Sequence, residues 1–310
     1  MRQGLPSSAS SHLTQGASLM SMSTASAALA FKPEQIGQLI TVPVQKGSIA
    51  LQVATVIHTD PSHKFRVPIV AADPAAAWTA EGADITASDA VLDEAVAEYK
   101  KLAGLTIITS ELADDSSPEA AGIVGAGLAR DIARKIDAAF FGTNVTDEGP
   151  PPVVNANQPA GLEDLANVNA ITGPADWANV DPFTEAVYEA ESVGATVNAF
   201  IAHPADALAL AQVKETTGSN RDLLQPDPTL PGVRRVAGVP LLVSPAVTEG
   251  TIWGIPTALS LVALRKDVTL DVDRSAYFAS DRVGIRATLR VGWVFPHEAA
   301  IQKISLTPAG

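Results

Sequence analysis

Residues 117–142 read SPEAAGIVGAGLARDIARKIDAAFFG, and within them Val124, Leu128, Ile132, Ile136 and Phe140 recur every four positions. That period predicts one long amphipathic helix with a single apolar stripe, leaving Arg130, Asp131, Arg134, Lys135 and Asp137 on other faces. Both ends are marked. Ser117 suits the N-cap, Pro118 the first helical position, where no amide donor is needed, and Glu119 the positive end of the helix dipole. Gly142 can take the left-handed conformation that closes a helix. At about 1.5 Å per residue the helix runs on the order of 35 Å, the width of a small domain. Alone it reads as a core helix, and the flanking sequence decides what it serves.

The chain has 310 residues, 46% of them hydrophobic, which is ample for a core in one large domain or two ordinary ones. It has no cysteine, so disulfides, thiolate metal sites and cysteine nucleophiles are excluded. No apolar run approaches the roughly 20 residues that cross a bilayer, and no membrane partner is expected. The formal net charge of −13 repels phosphate, which argues against direct nucleic-acid readout.

Residues 1–33 hold no acid and are rich in Ser, Ala, Gly, Gln and Thr, so a flexible arm is expected over residues 1–35. A signal peptide is the competing reading, weakened because Arg2 stands nearly alone and Ser and Thr interrupt every apolar run. From Gly47 to Val70, IALQVATVI and FRVPIV read as strands around the turn signal Asp60-Pro61-Ser62, naturally a hairpin. Then come roughly 40 residues with little helical periodicity, an isolated Trp78, the pair Glu81-Gly82 and many small residues. Such a stretch has too little apolar mass to fold alone and must lie on its own domain or on another subunit. KKLAGLTIITSEL, residues 100–112, returns to a strand before the long helix.

Past Gly142 a Pro- and Asn-rich segment reads as loop or linker, followed by a helix from Asp181-Pro182 and a buried strand entering a second helix near His203-Pro204. VPLLVS and TIWGI read as short buried strands, and residues 268–304 as long strands carrying Arg282, Arg286 and Arg290. The fold class is α+β, in two lobes.

Chemistry is sparse. The five histidines are not spaced as metalloprotease ligands, GIVGAG at 122–127 sits inside the helix and is no phosphate loop, and neither a GxSxG elbow nor a Walker lysine occurs. No catalytic, cofactor-binding or metal-binding residue is expected, and an enzyme with a scattered site is a minor alternative.

The order of these features resembles the major capsid protein family of tailed bacteriophages, with the HK-ninety-seven-like fold, over roughly Gly47 to Leu306. The resemblance rests on Arg66-Val67-Pro68-Ile69, Trp78-Thr79-Ala80-Glu81-Gly82, Lys101-Leu102-Ala103 running to Thr109-Ser110-Glu111-Leu112, and Asp115 before the long helix. It continues through Gly142, Pro159-Ala160-Gly161-Leu162, Asn220-Arg221, Gly238-Val239-Pro240, and the last strands with Arg286 and Arg290. It implies an arm over 1–35, the start of a peripheral domain at 36–57 and an extended loop over 58–99 that reaches a neighbouring subunit. A peripheral domain over 100–165, with its spine helix at 117–142, an axial α/β domain over 166–263 and returning peripheral strands over 264–310 complete the layout.

The implied function is self-assembly through pentamers and hexamers into an icosahedral shell that encloses double-stranded DNA without sequence-specific binding. The implied place is the virion capsid, assembled in the bacterial host cytoplasm. A separate scaffolding protein and a portal are expected partners, with a decoration protein left open. Trp78, Glu81, Arg130, Arg134, Arg286 and Arg290 are the expected subunit-interface residues. The alternative is an encapsulin-type compartment enclosing protein cargo. Some members of the family weld the loop to a neighbour through a lysine–asparagine isopeptide bond, but no lysine lies between Lys64 and Lys100 here. Boiled, denatured particles are therefore expected to run as a single monomer band, and a ladder of multimers joined through this loop would refute that expectation.

Overall fold

The computed structural model describes residues 44, 47–59, 64–72, 74–82, 84, 87–89, 91–111, 119–147, 149, 151–216, 218–224 and 234–307. The expectations for the arm over 1–35, the Asp60-Pro61-Ser62 turn and the Ser117-Pro118 helix start lie outside these residues. In chain order, α1 (Ile49–Val53) leads into β1 (Thr55–His58), and β2 (Lys64–Ala72) and β3 (Val91–Glu98) form a hairpin. β4 (Lys100–Thr109) precedes the long helix α2 (Glu119–Phe141). A small pair, β5 (Val145–Asp147) and β6 (Val153–Val154), is followed by β7 (Asn169–Thr172), α3 (Asp181–Ser192), β8 (Ala199–Ala202) and α4 (Pro204–Gln212). The chain ends through β9 (Arg235–Val236), β10 (Val239–Val243), β11 (Thr251–Ile255), β12 (Leu261–Asp273), β13 (Arg282–Val294) and β14 (Gln302–Ser305).

Two sheets carry the fold. One has the order β1-β12-β13-β4, the other β7-β14-β11-β8-β10-β9. The expected boundary between residues 263 and 264 falls inside β12, and the last strand, β14, lies in the six-stranded sheet between β7 and β11. The first core lies among α1, α2 and the four-stranded sheet, with Ile132, Ile136 and Phe140 of α2 against Leu51, Val262 and Leu289. Phe140 meets Trp293 and Phe295 edge-on, at ring-centroid distances of 5.5 and 5.4 Å. The central strands β8 and β11 of the six-stranded sheet are buried on both faces. Along β8, Ala199 and Ile201 face the first core, while Phe200 and Ala202 face a second core beneath α3 and α4. Strand alternation thus joins the two lobes through one shared sheet.

The stripe on α2 is as expected at Ile132, Ile136 and Phe140, which are buried, and at Leu128, which packs half-buried on the core. Asp137 departs from it. Expected on a charged face, its carboxylate is buried and accepts hydrogen bonds from Ser48 Oγ at 2.6 Å, Ile49 N at 3.1 Å and Ala50 N at 3.0 Å. Ser48 Oγ in turn accepts from Leu51 N, capping α1. This network explains a second correction. Residues 49–53 form a helix where a strand was expected, because β-branched propensity is outweighed once a buried carboxylate satisfies the free first-turn amides of α1.

The expected hairpin is also re-paired. FRVPIV in β2 joins β3, not the preceding segment, and β1 runs parallel to β12 at the edge of the other sheet. Gly142 is the third correction, since it does not take a positive φ. Its requirement is closeness. A Cβ there would lie 2.6 Å from Ala138 O, and one on Gly161 would lie 2.1 Å from Gly142 O. Pro159-Ala160-Gly161-Leu162 therefore presses against the end of α2, with Leu162 buried and Trp293 Nε1 donating to Ala160 O.

Burial raises the Asp137 pKa above its ordinary value, against the opposing hydrogen bonds from Ser48, Ala50 and Ile49. Replacing Asp137 by Ala strands two amides and a hydroxyl, and is expected to cost about 3 kcal/mol in denaturant unfolding. Because the folded-state pKa is raised, this carboxyl contributes most below the unfolded pKa and less as pH rises through the folded one. The stability advantage of the native chain over Asp137→Asn should accordingly shrink across that window as pH increases, and an advantage that grows with pH would overturn the assignment.

Candidate functional site

The buried carboxylates Asp137 and Asp206 are occupied structurally, while Trp253 Nε1 and Ser260 Oγ are buried without a hydrogen-bond partner among the described residues. Asp206, buried in the first turn of α4, accepts from Trp177 Nε1 at 2.8 Å and from Gly250 N at 2.9 Å. His203 Nδ1 accepts from Ala205 N and so starts α4. Among the described residues no three metal-ligating side chains converge, and no helix is long and apolar enough to cross a membrane. What the chain presents outward is a set of surfaces.

The first is the hairpin. Lys64 pairs across it with Glu98 at 2.8 Å and Arg66 with Glu94 at 2.8 Å, and Lys100 reaches Glu98 at 3.2 Å. The two lysines hold the exposed Glu98 carboxyl below its ordinary range, first through the hydrogen bond from Lys64. Farther out the charge is not balanced. Residues 67–99 contain no Lys, Arg or His, and Glu81, Asp84 and Asp89 are exposed beyond the strands. Val91, Leu92 and Val96 are exposed, and Trp78 is 106% exposed. A two-stranded ribbon with apolar residues facing water is marginal alone.

The second is the outer face of the four-stranded sheet, where β4 is an edge. Leu105 and Ile107 are exposed there. Across the strands Arg286 stands beside Leu105 and Arg290 beside Lys101, and the register continues to Asp271 and Lys266 on β12. Arg286 pairs with Asp271 at 2.8 Å with both partners exposed. Arg130 and Arg134 line the exposed side of α2. The six expected interface residues thus fall on three separate surfaces: Trp78 and Glu81 on the hairpin loop, Arg130 and Arg134 on α2, Arg286 and Arg290 on the sheet. One chain does not bring them together.

The third surface is a half-open cavity of about 210 Å³ where β4 starts beside α2. Lys100, Lys101 and Lys135 stand around a floor that includes Leu102, Ile136 and Trp293. Sequence reading missed it, because two of its lysines sit on a strand and the third on a helix, and only the packing of β4 on α2 makes them neighbours.

A fourth contrast lies across the six-stranded sheet. α3 packs on β7 and β14 at one end and exposes Asp181, Glu185, Glu189 and Glu191. Arg234 and Arg235 are exposed at the β9 end. No lysine or arginine occurs between Lys135 and Lys214, so nothing along that stretch offsets the acid of α3.

The family model described as the phage capsid family matches residues 30–306. The chain belongs to that family. No curated protein matches it. Its fold is similar to the capsid of an empty GTA particle computed with C5 symmetry, at 20% identity and TM-score 0.68, covering 85% of this chain and 90% of that one. It is similar also to a chain from Gordonia phage Cozz, at 16% identity and TM-score 0.66 over 84% of this chain and 87% of that one. A chain from Mycobacterium phage Bobi matches at 16% identity and TM-score 0.66, over 85% and 91%. The α+β phage-capsid fold is thereby shown, and the chain is a capsid shell protein by family.

Within that family frame the exposed Arg286–Asp271 pair separates stability from assembly. An exposed ion pair contributes about 0.5 kcal/mol or less once side-chain ordering and screening are counted. Arg286→Ala should leave the unfolding midpoint of the isolated chain nearly unchanged, and a loss above about 1.5 kcal/mol would show that the pair supports the sheet itself.

Proposed function

We propose that this chain is the major capsid protein of a tailed bacteriophage, assembling through pentamers and hexamers into an icosahedral shell around double-stranded DNA. The observation that carries this reading is the hairpin of β2 and β3. It holds Trp78, Leu92 and Val96 in water, and nothing among the described residues covers them. A second copy is the simplest cover.

On this reading residues 58–99 are the loop that crosses to a neighbour, α2 is the spine of a peripheral domain over 100–165 to which β12 and β13 return, and residues 166–263 form the axial domain, whose sheet β14 joins. The opposite charges at the two ends of the six-stranded sheet support head-to-tail contact, which closes rings when the rotation allows it. The net charge of −13 keeps enclosed DNA from adhering to the wall, so the DNA is held without sequence-specific contacts. The particle is the virion capsid, built in the host cytoplasm with a portal and a separate scaffolding protein, and the chain itself catalyses nothing.

Electron microscopy of the chain expressed alone and concentrated, with size-exclusion chromatography alongside, tests the reading. Closed shells, tubes, or rings of five and six are expected. A monomer or dimer that persists at high concentration and with candidate scaffold added would overturn it. Particles that fill with protein cargo instead of nucleic acid would point to an encapsulin-type compartment.

A further inference from the structure

Two features remain without a partner once the fold and its lobes are accounted for. One is the outer end of the hairpin, where the fully exposed Trp78 stands near Glu81 and Asp84 in a stretch that has no cation from residue 67 to residue 99. The other is the cavity of about 210 Å³ whose rim is Lys100, Lys101 and Lys135 and whose floor includes Leu102, Ile136 and Trp293. They are complementary in two independent respects. Carboxylates face ammonium groups, and a bare indole faces an apolar floor.

We propose that the lysine-rimmed cavity is the seat for Trp78, Glu81 and Asp84 of a second copy of this chain, an inference that rests on the shell reading above. Geometry excludes the chain's own loop. The hairpin leaves the body beside Lys100, the 8 residues of β3 carry Val91 about 25 Å from that point at roughly 3.3 Å per residue, and Trp78, in the connection between β2 and β3, is 106% exposed in its own chain. A loop that starts at the cavity and projects away cannot fill it, whereas the same loop from a neighbour can. Lys101 is backed in register by Arg290, so positive charge is concentrated at the rim. Among the described residues Lys100 is the one lysine of the three with an acidic partner, Glu98.

The division of labour follows from the chemistry. Glu81 and Asp84 steer the loop and fix its register on Lys101 and Lys135, while Trp78 supplies the buried area. An aromatic anchor in a desolvated pocket carries most of such a contact, and the charged rim discriminates among landing places. This seat would hold neighbours without a covalent weld, which matches the absence of a lysine between Lys64 and Lys100.

The chain offers its own reporter. Of four tryptophans, Trp177, Trp253 and Trp293 are buried, so collisional quenching by iodide or acrylamide reads Trp78 almost alone. Quenching of the full chain should be strong before assembly and should fall when particles form. Four variants complete the test: Trp78→Ala, the acid-reversed E81K/D84K, the rim-reversed K101E/K135E and the combined E81K/D84K/K101E/K135E, each first checked for an unchanged melting profile. Trp78→Ala is expected to raise the concentration needed for assembly about ten-fold or more. Each charge variant alone should fail to assemble, and the chain that carries all four reversals should assemble again, because reversed loops then meet reversed rims in rings of five and of six alike.

Particles that form while Trp78 stays as quenchable as before would overturn the seat and leave the shell reading standing. So would charge variants that each assemble normally, or a folded four-fold reversal that fails to assemble. A native chain that never assembles would overturn the shell reading itself, and the seat with it.

Discussion

The structure hangs on one buried carboxylate. Asp137 sits on α2 and accepts from Ser48, Ile49 and Ala50, residues nearly 90 positions earlier in the chain. Burying a charge is costly unless its lone pairs are filled, and here three donors fill them. In return α1, only 5 residues long, gains first-turn amide partners that its length could not secure. That fixes where β1 begins, and β1 forms the parallel edge against β12. The polar anchor therefore sets the register of the four-stranded sheet with respect to the helix that covers it.

Around that anchor the energetics become ordinary burial. The end of α2 supplies Phe140 and Phe141, packed edge-on to each other, and Phe140 also meets Trp293 near the end of β13 and Phe295 just past it. The close approach at Gly142 and Gly161 lets the following loop press on the same helix end. Next to this cluster the first core passes directly into the six-stranded sheet through Ile201, Trp253 and Ile255. Since the opposite face of that sheet is covered by α3 and α4, a change in one lobe is felt by strands that also serve the other. The lobes are two cores on one shared layer, which suits an object that must keep its shape under load.

Sequence reading succeeded where one local pattern sufficed. The four-residue period of α2, the Asp-Pro start of α3 and the fully buried β8 running into α4 at His203-Pro204 are all present as expected. It failed where a distant residue decided the outcome. IALQV carries strand-like residues, yet Ser48 and Asp137 make it a helix. The partner of FRVPIV was sought nearby and lies beyond a long loop, in β3. Asp137 itself could have been suspected. It stands four residues after Ala133 and three before Phe140, inside the stripe that packs, where a solvated acid does not belong. The lysine-rimmed cavity left no such trace, because separation along the chain hides proximity that packing creates.

The hairpin shows why a shell protein tolerates what a monomer would not. Val91, Leu92 and Val96 in water cost the isolated chain stability, and Trp78 adds the largest apolar side chain of all. A monomeric protein gains nothing by keeping such a ribbon. On the proposed reading every copy in a closed assembly would both extend one and cover one, so the unfavourable exposure of the free chain would become driving force for association. Each contact can then be weak. Linking many of them within one particle replaces affinity by effective concentration, so the shell holds when any single seat would let go. Weak single seats also allow misplaced subunits to leave before closure, which strong early contacts would prevent. The exposed tryptophan, the acid around it and the missing loop lysine all fit reversible, non-covalent locking of this kind.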